Sequence, residues 1–212
     1  MSNSSLLRNY RHPIYHQELF SEEIEHIKIS GLENSRYQKE FLNSQQKFII
    51  NMLKQSFAPI ANNHIQILIL GSLPGDKSIQ EGEYYAHPQN RFWKLIKLIF
   101  NSTDFKSYSE KLETLLINQI GLWDVCAQAN RKGSMDIAIV EEEPNNLAQF
   151  LTDHPQLHTI IFNGQKAHQL FKKHFKRTEN HQYYILPSTS PANAQYSLEK
   201  LFKEWETILK KD

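Results

Sequence analysis

The chain has 212 residues, 40% of them hydrophobic, which suits one α/β domain with a small appendage and a core that needs no covalent staples. A formal net charge of +1 neither favours nor disfavours nucleic acid, and it confines any DNA-binding surface to a local patch. The single cysteine, Cys126, excludes a disulfide framework and cysteine-based zinc or iron–sulfur sites, and no window is long and apolar enough to cross a bilayer.

Residues 1–61 read as an N-terminal helical extension packed on a main domain of residues 62–212. Tyr37, Phe41, Phe48, Ile49, Met52 and Leu53 share one face at helical spacing, Asn34 or Ser35 can cap the run, and Pro59 stops it. The beginning, residues 1–10, lacks the apolar stretch of a secretory leader, so a reducing, cytoplasmic setting is expected. From Ile65 the pattern changes. Strands are predicted at Ile65–Gly71, Gln119–Val125, Thr159–Asn163 and Tyr183–Pro187. Helices are predicted between them at Arg91–Phe100, Tyr108–Asn118 (opened by the capping box Ser107-x-x-Glu110), Pro144–Thr152 and Gln165–Phe175. A last helix from Ser197 turns Leu198, Leu201, Phe202, Trp205, Ile208 and Leu209 inward. Strands separated by helices predict a three-layer α/β/α sandwich around a four-stranded, mostly parallel sheet.

Three of these strands end in polar, turn-forming residues: Gly71-Ser-Leu-Pro-Gly75, Trp123-Asp124, and Leu186-Pro-Ser-Thr-Ser-Pro-Ala-Asn193. In a parallel sheet those ends share one edge, where open α/β sheets bind ligands, so the three segments are expected to converge. A phosphate-binding loop would need Gly-x4-Gly-Lys-Ser/Thr after the first strand, but Asp76 occupies the second glycine position before Lys77-Ser78. An acid there faces the phosphates and its Cβ crowds the cradle. No helix is expected at Lys77 to supply a dipole, so nucleotide binding ranks last.

Five segments appear in order along about two thirds of the chain: Gly71-Ser-Leu-Pro-Gly75, Tyr85-Ala-His-Pro-Gln-Asn-Arg-Phe-Trp93, Gly121-Leu-Trp-Asp124, Ile160-Ile-Phe-Asn-Gly-Gln-Lys-Ala167 and Ser188-Thr-Ser-Pro-Ala-Asn193. Together they resemble the uracil-DNA glycosylase superfamily, most closely its hypoxanthine-DNA (deoxyinosine) glycosylase branch. The resemblance implies a monofunctional base-excision repair enzyme. It would hydrolyse the N-glycosidic bond of a deaminated base in DNA, hypoxanthine before uracil, with no cofactor, no metal and no obligate protein partner.

The chain departs from its relatives at two places. Most members carry Asp or Asn at the third position of the first loop to orient the attacking water; here it is Leu73. The resemblance moves that role to Asn90, whose amide can donate and accept at once, or else Asn90 merely caps the helix that follows. Asp76 is a second candidate acid. In the last segment Ser188 replaces a base-stabilising His, and Ala192 stands where relatives insert a Leu wedge. Tyr85 aligns with an aromatic that stacks on the extruded base, and Asp124 with a base-recognising position, where a carboxylate accepts from hypoxanthine N1–H or uracil N3–H. The alternatives are core packing for Tyr85, and a turn cap or a pair with Arg131 for Asp124. His87 is a candidate for a phosphate or the leaving group. Backbone donors around Gly71, Ser72 and Gly75, with Asn163 and Lys166 at the rim and Ser190 and Asn193 as clamps, complete the expected site. The basic run Lys172, Lys173, His174, Lys176 and Arg177 reads as a solvated helix end. A non-catalytic module of the same fold that binds damaged or single-stranded DNA is the second hypothesis.

Overall fold

The computed structural model describes residues 52–210. The central sheet is built from β2 (Ile67–Gly71), β3 (Ile120–Asp124), β6 (Thr159–Asn163) and β7 (Gln182–Leu186). Its order is β3-β2-β6-β7, and every pairing is parallel. β3 and β6 flank β2 on opposite sides, so the chain changes winding direction between β2 and β6, the place where such sheets open a crevice at their carboxyl ends.

β2, β3 and β6 are buried on both faces, which is why they read as nearly continuous apolar runs. Ile69 and Ile161 face a core shared with α2 (Phe92–Ile99), α3 (Tyr108–Ile117) and α6 (Leu198–Leu209). Leu68, Leu70, Ile160 and Phe162 face the opposite core, with α4 (Leu147–Asp153) and α5 (Gln165–His174). The three layers expected from sequence are thus present, and the strand and helix positions agree within a few residues. Ser107 and Ser197 cap α3 and α6, accepting from Glu110 N–H and Lys200 N–H at 3.2 Å each.

Three local expectations fail. Helix does not continue through Leu53, because Leu53–Gln55 is strand β1, pinned antiparallel to β4 (Cys126–Asn130). Long-range pairing there overrides helical spacing. Residues 1–51, with most of the expected helical extension, lie outside the described residues. Pro144 does not open a helix; it ends β5 (Val140–Pro144), which pairs with β4 to complete a second, antiparallel sheet β1-β4-β5. α4 starts only at Leu147, capped by Asn146. Lastly, a six-residue helix, α1 (Asp76–Glu81), does follow the Gly-Pro turn. It restores no phosphate cradle, since the Asp76 carboxylate occupies its first turn and pairs with Lys54 Nζ at 3.1 Å. No helix among the described residues is long and apolar enough to cross a membrane.

Candidate active site

A cavity of about 840 Å³ opens at the carboxyl ends of the parallel strands, within the size range of small-ligand sites. It is bordered by Gly71, Ser72, Leu73, Gly75, Tyr85, His87, Asn90, Asp124, Asn163, Ser188, Ser190 and Asn193. Twelve of the residues singled out from sequence therefore meet at one place. Asp76 does not; it lies outside the lining, paired with Lys54.

The floor is set by one absent side chain. Gly71 ends β2 opposite Asp124 on β3, and a Cβ at Gly71 would lie 2.4 Å from Asp124 Oδ1 and 3.3 Å from the Tyr85 hydroxyl. Only glycine lets that carboxyl and that phenol share the strand end. Asp124 is 3% exposed. Ser56 Oγ donates to its Oδ2 at 2.9 Å, and Asn145 Nδ2 donates to its carbonyl at 2.9 Å. Burial raises the carboxyl to about 7, the Ser56 hydrogen bond opposing the shift. Arg131 does not form an ion pair with Asp124. It is wholly buried, and its guanidinium donates to the carbonyls of Leu73 (3.2 Å), Pro74 and Gly133 (2.9 Å), pinning the Gly-Ser-Leu-Pro turn.

Tyr85 holds a left-handed backbone, φ 55°, which costs a non-glycine residue roughly 1–3 kcal/mol. Its ring packs on Phe92 with centroids 4.1 Å apart. Its hydroxyl, like that of Tyr84, is buried without a hydrogen-bond partner among the described residues. Burial first, then the nearby Asp124 charge, keeps both phenols protonated. A strained backbone and an orphaned polar atom at a cavity wall are marks of a functional position.

Asn90 is engaged through only one end of its amide. Its Oδ1 accepts from Phe92 N–H at 3.0 Å and so caps α2. The donor fixes which end is oxygen, and Nδ2, without a partner among the described residues, remains available to the cavity. Leu73 is 5% exposed and sits in the core, so it offers the cavity no polar group. The acid that does reach the cavity near this turn is Asp136, which the sequence did not single out. Ser72 Oγ donates to Asp136 Oδ1 at 2.7 Å, and the Arg131 guanidinium lies 3.9 Å from the same oxygen. Oδ2 has no partner among the described residues. Burial raises the Asp136 carboxyl, the Ser72 hydrogen bond and Arg131 opposing, while its side chain keeps 44% of its surface exposed.

The far wall is the loop after β7. Arg91 gathers it by donating to the carbonyls of Thr189 (3.3 Å), Asn193 (3.1 Å), Ser190 and Tyr196. Asn163 spends both ends of its amide on Thr189, accepting from its N–H at 2.9 Å and donating to its hydroxyl at 3.0 Å. Gly164, at φ 102°, lets β6 pass this loop, since a Cβ would come within 2.8 Å of Ser188 Cβ. Inside the loop, Ser188 Oγ accepts from Ser190 N–H (3.2 Å), Ser190 Oγ accepts from Ala192 N–H (3.3 Å), and Asn193 Nδ2 donates to the Ser188 carbonyl (2.9 Å). Both hydroxyls act as acceptors there and keep a proton to offer a ligand. His87 is exposed, with Nδ1 accepting from Gln89 N–H at 3.2 Å. In the basic run on α5, Lys173 and His174 are held by Glu142 at 2.5 and 3.1 Å. No cluster of three or more His, Cys, Asp or Glu suited to a metal occurs among the described residues.

Arg91, Arg131, Asp136, Ser56 and Thr189 are the positions that sequence reasoning missed. Their signal is tertiary, because each acts on a segment far along the chain.

Comparison with known proteins places this arrangement. A protein named hypoxanthine DNA glycosylase from Methanosarcina acetivorans is 38% identical over 160 residues, covering 75% of this chain and 99% of its own length. One of the same name from Methanosarcina barkeri is 39% identical over 162 residues, covering 76% and 100%. A solution NMR structure of a candidate uracil DNA glycosylase from Methanosarcina acetivorans superposes with a TM-score of 0.64 at 37% identity, over 75% of this chain and 98% of that one. Residues 58–211 match the model of the uracil DNA glycosylase superfamily, and the chain belongs to that superfamily.

Proposed function

We propose that this chain is a DNA glycosylase that removes hypoxanthine from DNA by hydrolysing the deoxyinosine N-glycosidic bond, leaving an abasic site. The observation that carries it is the meeting of Tyr85, Asn90, Asp124 and Ser190 around one cavity ample for a purine nucleoside. The curated relatives named for hypoxanthine, matched over nearly their whole length, support the choice of base.

In this reading the extruded base lies against Tyr85 and reaches down to Asp124. As a carboxylate, Asp124 accepts from hypoxanthine N1–H; adenine has no hydrogen there, so two acceptors would face each other and the normal base is rejected. The Tyr85 hydroxyl, buried and unpaired, gains a partner on the base edge. Asn90 Nδ2 donates to a water oxygen and Asp136 Oδ2 accepts one of that water's protons, together supplying what Leu73 cannot. The C1′–N9 bond breaks with its electron pair on the base, water oxygen bonds to C1′, and the departing base anion takes up a proton. Ser188 and Ser190 offer hydroxyl donors to the anion or to a flanking phosphate.

The test is a panel of oligonucleotides carrying one hypoxanthine, uracil or xanthine, single- and double-stranded, followed by alkaline cleavage of abasic sites. Strand breaks at deoxyinosine are expected. Salt-sensitive binding without breaks on any substrate would favour the non-catalytic DNA-binding alternative.

A further inference from the structure

Two apolar side chains on the cavity rim, Met135 and Ile137, take no part in the chemistry proposed at C1′. Between β4 and β5 the chain makes a single 3-10 turn, Asp136–Ala138. Asp136 is drawn toward Ser72 by its 2.7 Å hydrogen bond, while its neighbours stand out in solvent. Met135 is 57% exposed and Ile137 87% exposed, the most of any large apolar side chain among the described residues. Both border the cavity. Scattered exposed apolar residues need no explanation. Two on one tip, on either side of a carboxylate that enters a ligand cavity, call for a partner.

The tip is also stiff. Ser134 Oγ accepts from Asp76 N–H at 2.9 Å. The Ala138 and Ile139 N–H groups donate to the Met135 and Asp136 carbonyls at 3.0 and 3.2 Å. Arg131 Nε holds the Gly133 carbonyl at 2.9 Å, and Ile139 is anchored in the core. The apolar pair is therefore displayed in advance by a fixed backbone, so little ordering entropy is lost when it meets a partner. The loop at 188–196, which also borders the cavity, exposes the small side chain of Ala192 beside Pro191, while its one large apolar side chain, Tyr196, is half-buried against the core.

We propose that Met135 and Ile137 form an apolar wedge that enters the base stack of duplex DNA and fills the gap left when the target nucleotide turns out into the cavity. The proposal rests on the glycosylase reading above. Apolar side chains set between base steps are a recurring means of offsetting lost stacking, and a base must leave the stack before chemistry can reach its sugar bond. The wedge predicts a dependence on duplex structure that no residue acting at C1′ would show.

The experiment compares wild type with Met135→Ser/Ile137→Ser and with Ile137→Leu by single-turnover excision of hypoxanthine. Substrates are a duplex with cytosine opposite and the same strand alone. The double variant should slow on the duplex by about tenfold or more and stay within about twofold of wild type on the single strand, while Ile137→Leu keeps wild-type rates on both. A second measurement needs no turnover: 2-aminopurine placed beside 2′-fluoro-deoxyinosine, whose sugar bond resists hydrolysis, should brighten on binding wild type and not the double variant. An unchanged duplex rate, or equal slowing on both substrates, overturns the wedge while leaving the glycosylase reading standing. If wild type excises nothing from either substrate, that reading falls instead, and the 2-aminopurine signal alone decides the wedge.

Discussion

Replacing Asp124 with Asn separates what this residue does for the fold from what it does for the base. The carboxyl is 3% exposed and is raised by burial to about 7, against about 3.9 in an unfolded chain. A carboxyl raised on folding adds stability that is fully present below its unfolded value and is lost as pH climbs through its folded value. Ionised Asp124 is thus a burden on the fold above neutrality. About three units at 1.36 kcal/mol each set a ceiling of roughly 4 kcal/mol on that loss. The amide isostere carries no charge to bury and can still accept from Ser56. Denaturant unfolding of both proteins from pH 4 to pH 8.5 should show Asp124→Asn gaining on wild type as pH rises, by up to roughly 4 kcal/mol. Other titrating groups, Asp136 among them, are common to both proteins and largely cancel in the difference. With its oxygen turned to Ser56, the new amide points N–H at the cavity, where hypoxanthine also presents N1–H, so excision should fall even as stability rises. A stability difference that is flat with pH, or that runs the other way, would falsify the assignment of a charged, desolvated Asp124 at neutral pH.

Asn90→Ala should reduce excision by about 100-fold or more in single-turnover assays, with a stability loss near 1 kcal/mol from the missing α2 cap; loss of stability alone would leave Asn90 a cap and nothing else. Asp136→Asn should lower kcat by about 100-fold with little change in KM and flatten the limb of the pH–rate profile that rises with ionisation of this carboxyl. An unaltered profile removes Asp136 as the proton acceptor. Gly71→Ala drives a Cβ to 2.4 Å from Asp124 Oδ1, so hypoxanthine excision should be lost and thermal melting lowered. Arg91→Lys replaces a planar fork bonded to four carbonyls with one ammonium, and should cost about 2 kcal/mol in denaturant unfolding while raising KM more than it lowers kcat.

The parallel sheet was legible because strands buried on both faces leave apolar runs, as Ile160-Ile-Phe162 does within the fully buried Thr159–Asn163. Caps such as Ser107 and Ser197 were equally visible, being local chemistry. The antiparallel sheet was not. Leu53-Lys-Gln, Cys126-Ala-Gln-Ala-Asn and Val140-Glu-Glu-Glu-Pro carry no clean alternation; what makes them strands is their pairing, that of β1 with β4 reaching across some seventy residues of chain. α1 was hidden because Gly75 caps it without a side chain. The site divides in the same way. Residues next to strand ends were found, since sheet topology alone brings them together. Asp136 sits in a connection whose sequence gives no sign that it folds back onto Ser72. Asp76, which follows the first turn directly, was a natural candidate and yet faces Lys54.

The two walls of the cavity are held by the same device. Arg131 grips the carbonyls of the turn after β2, and Arg91 those of the loop after β7. Neither grip uses a side chain of the turn it holds, so the identity of those side chains is not bound to the shape of the wall. That separation lets Leu73 and Ala192, which offer neither a water-orienting group nor a bulky wedge, stand on these walls while the backbone still frames a cavity. In the proposed reading those duties fall to groups that project over the same frame from elsewhere. Asn90 is fixed there by capping α2, and Asp136 and Ile137 by a 3-10 turn tied to Ser72. A scaffold secured through its carbonyls lets catalytic groups change places without the fold being rebuilt.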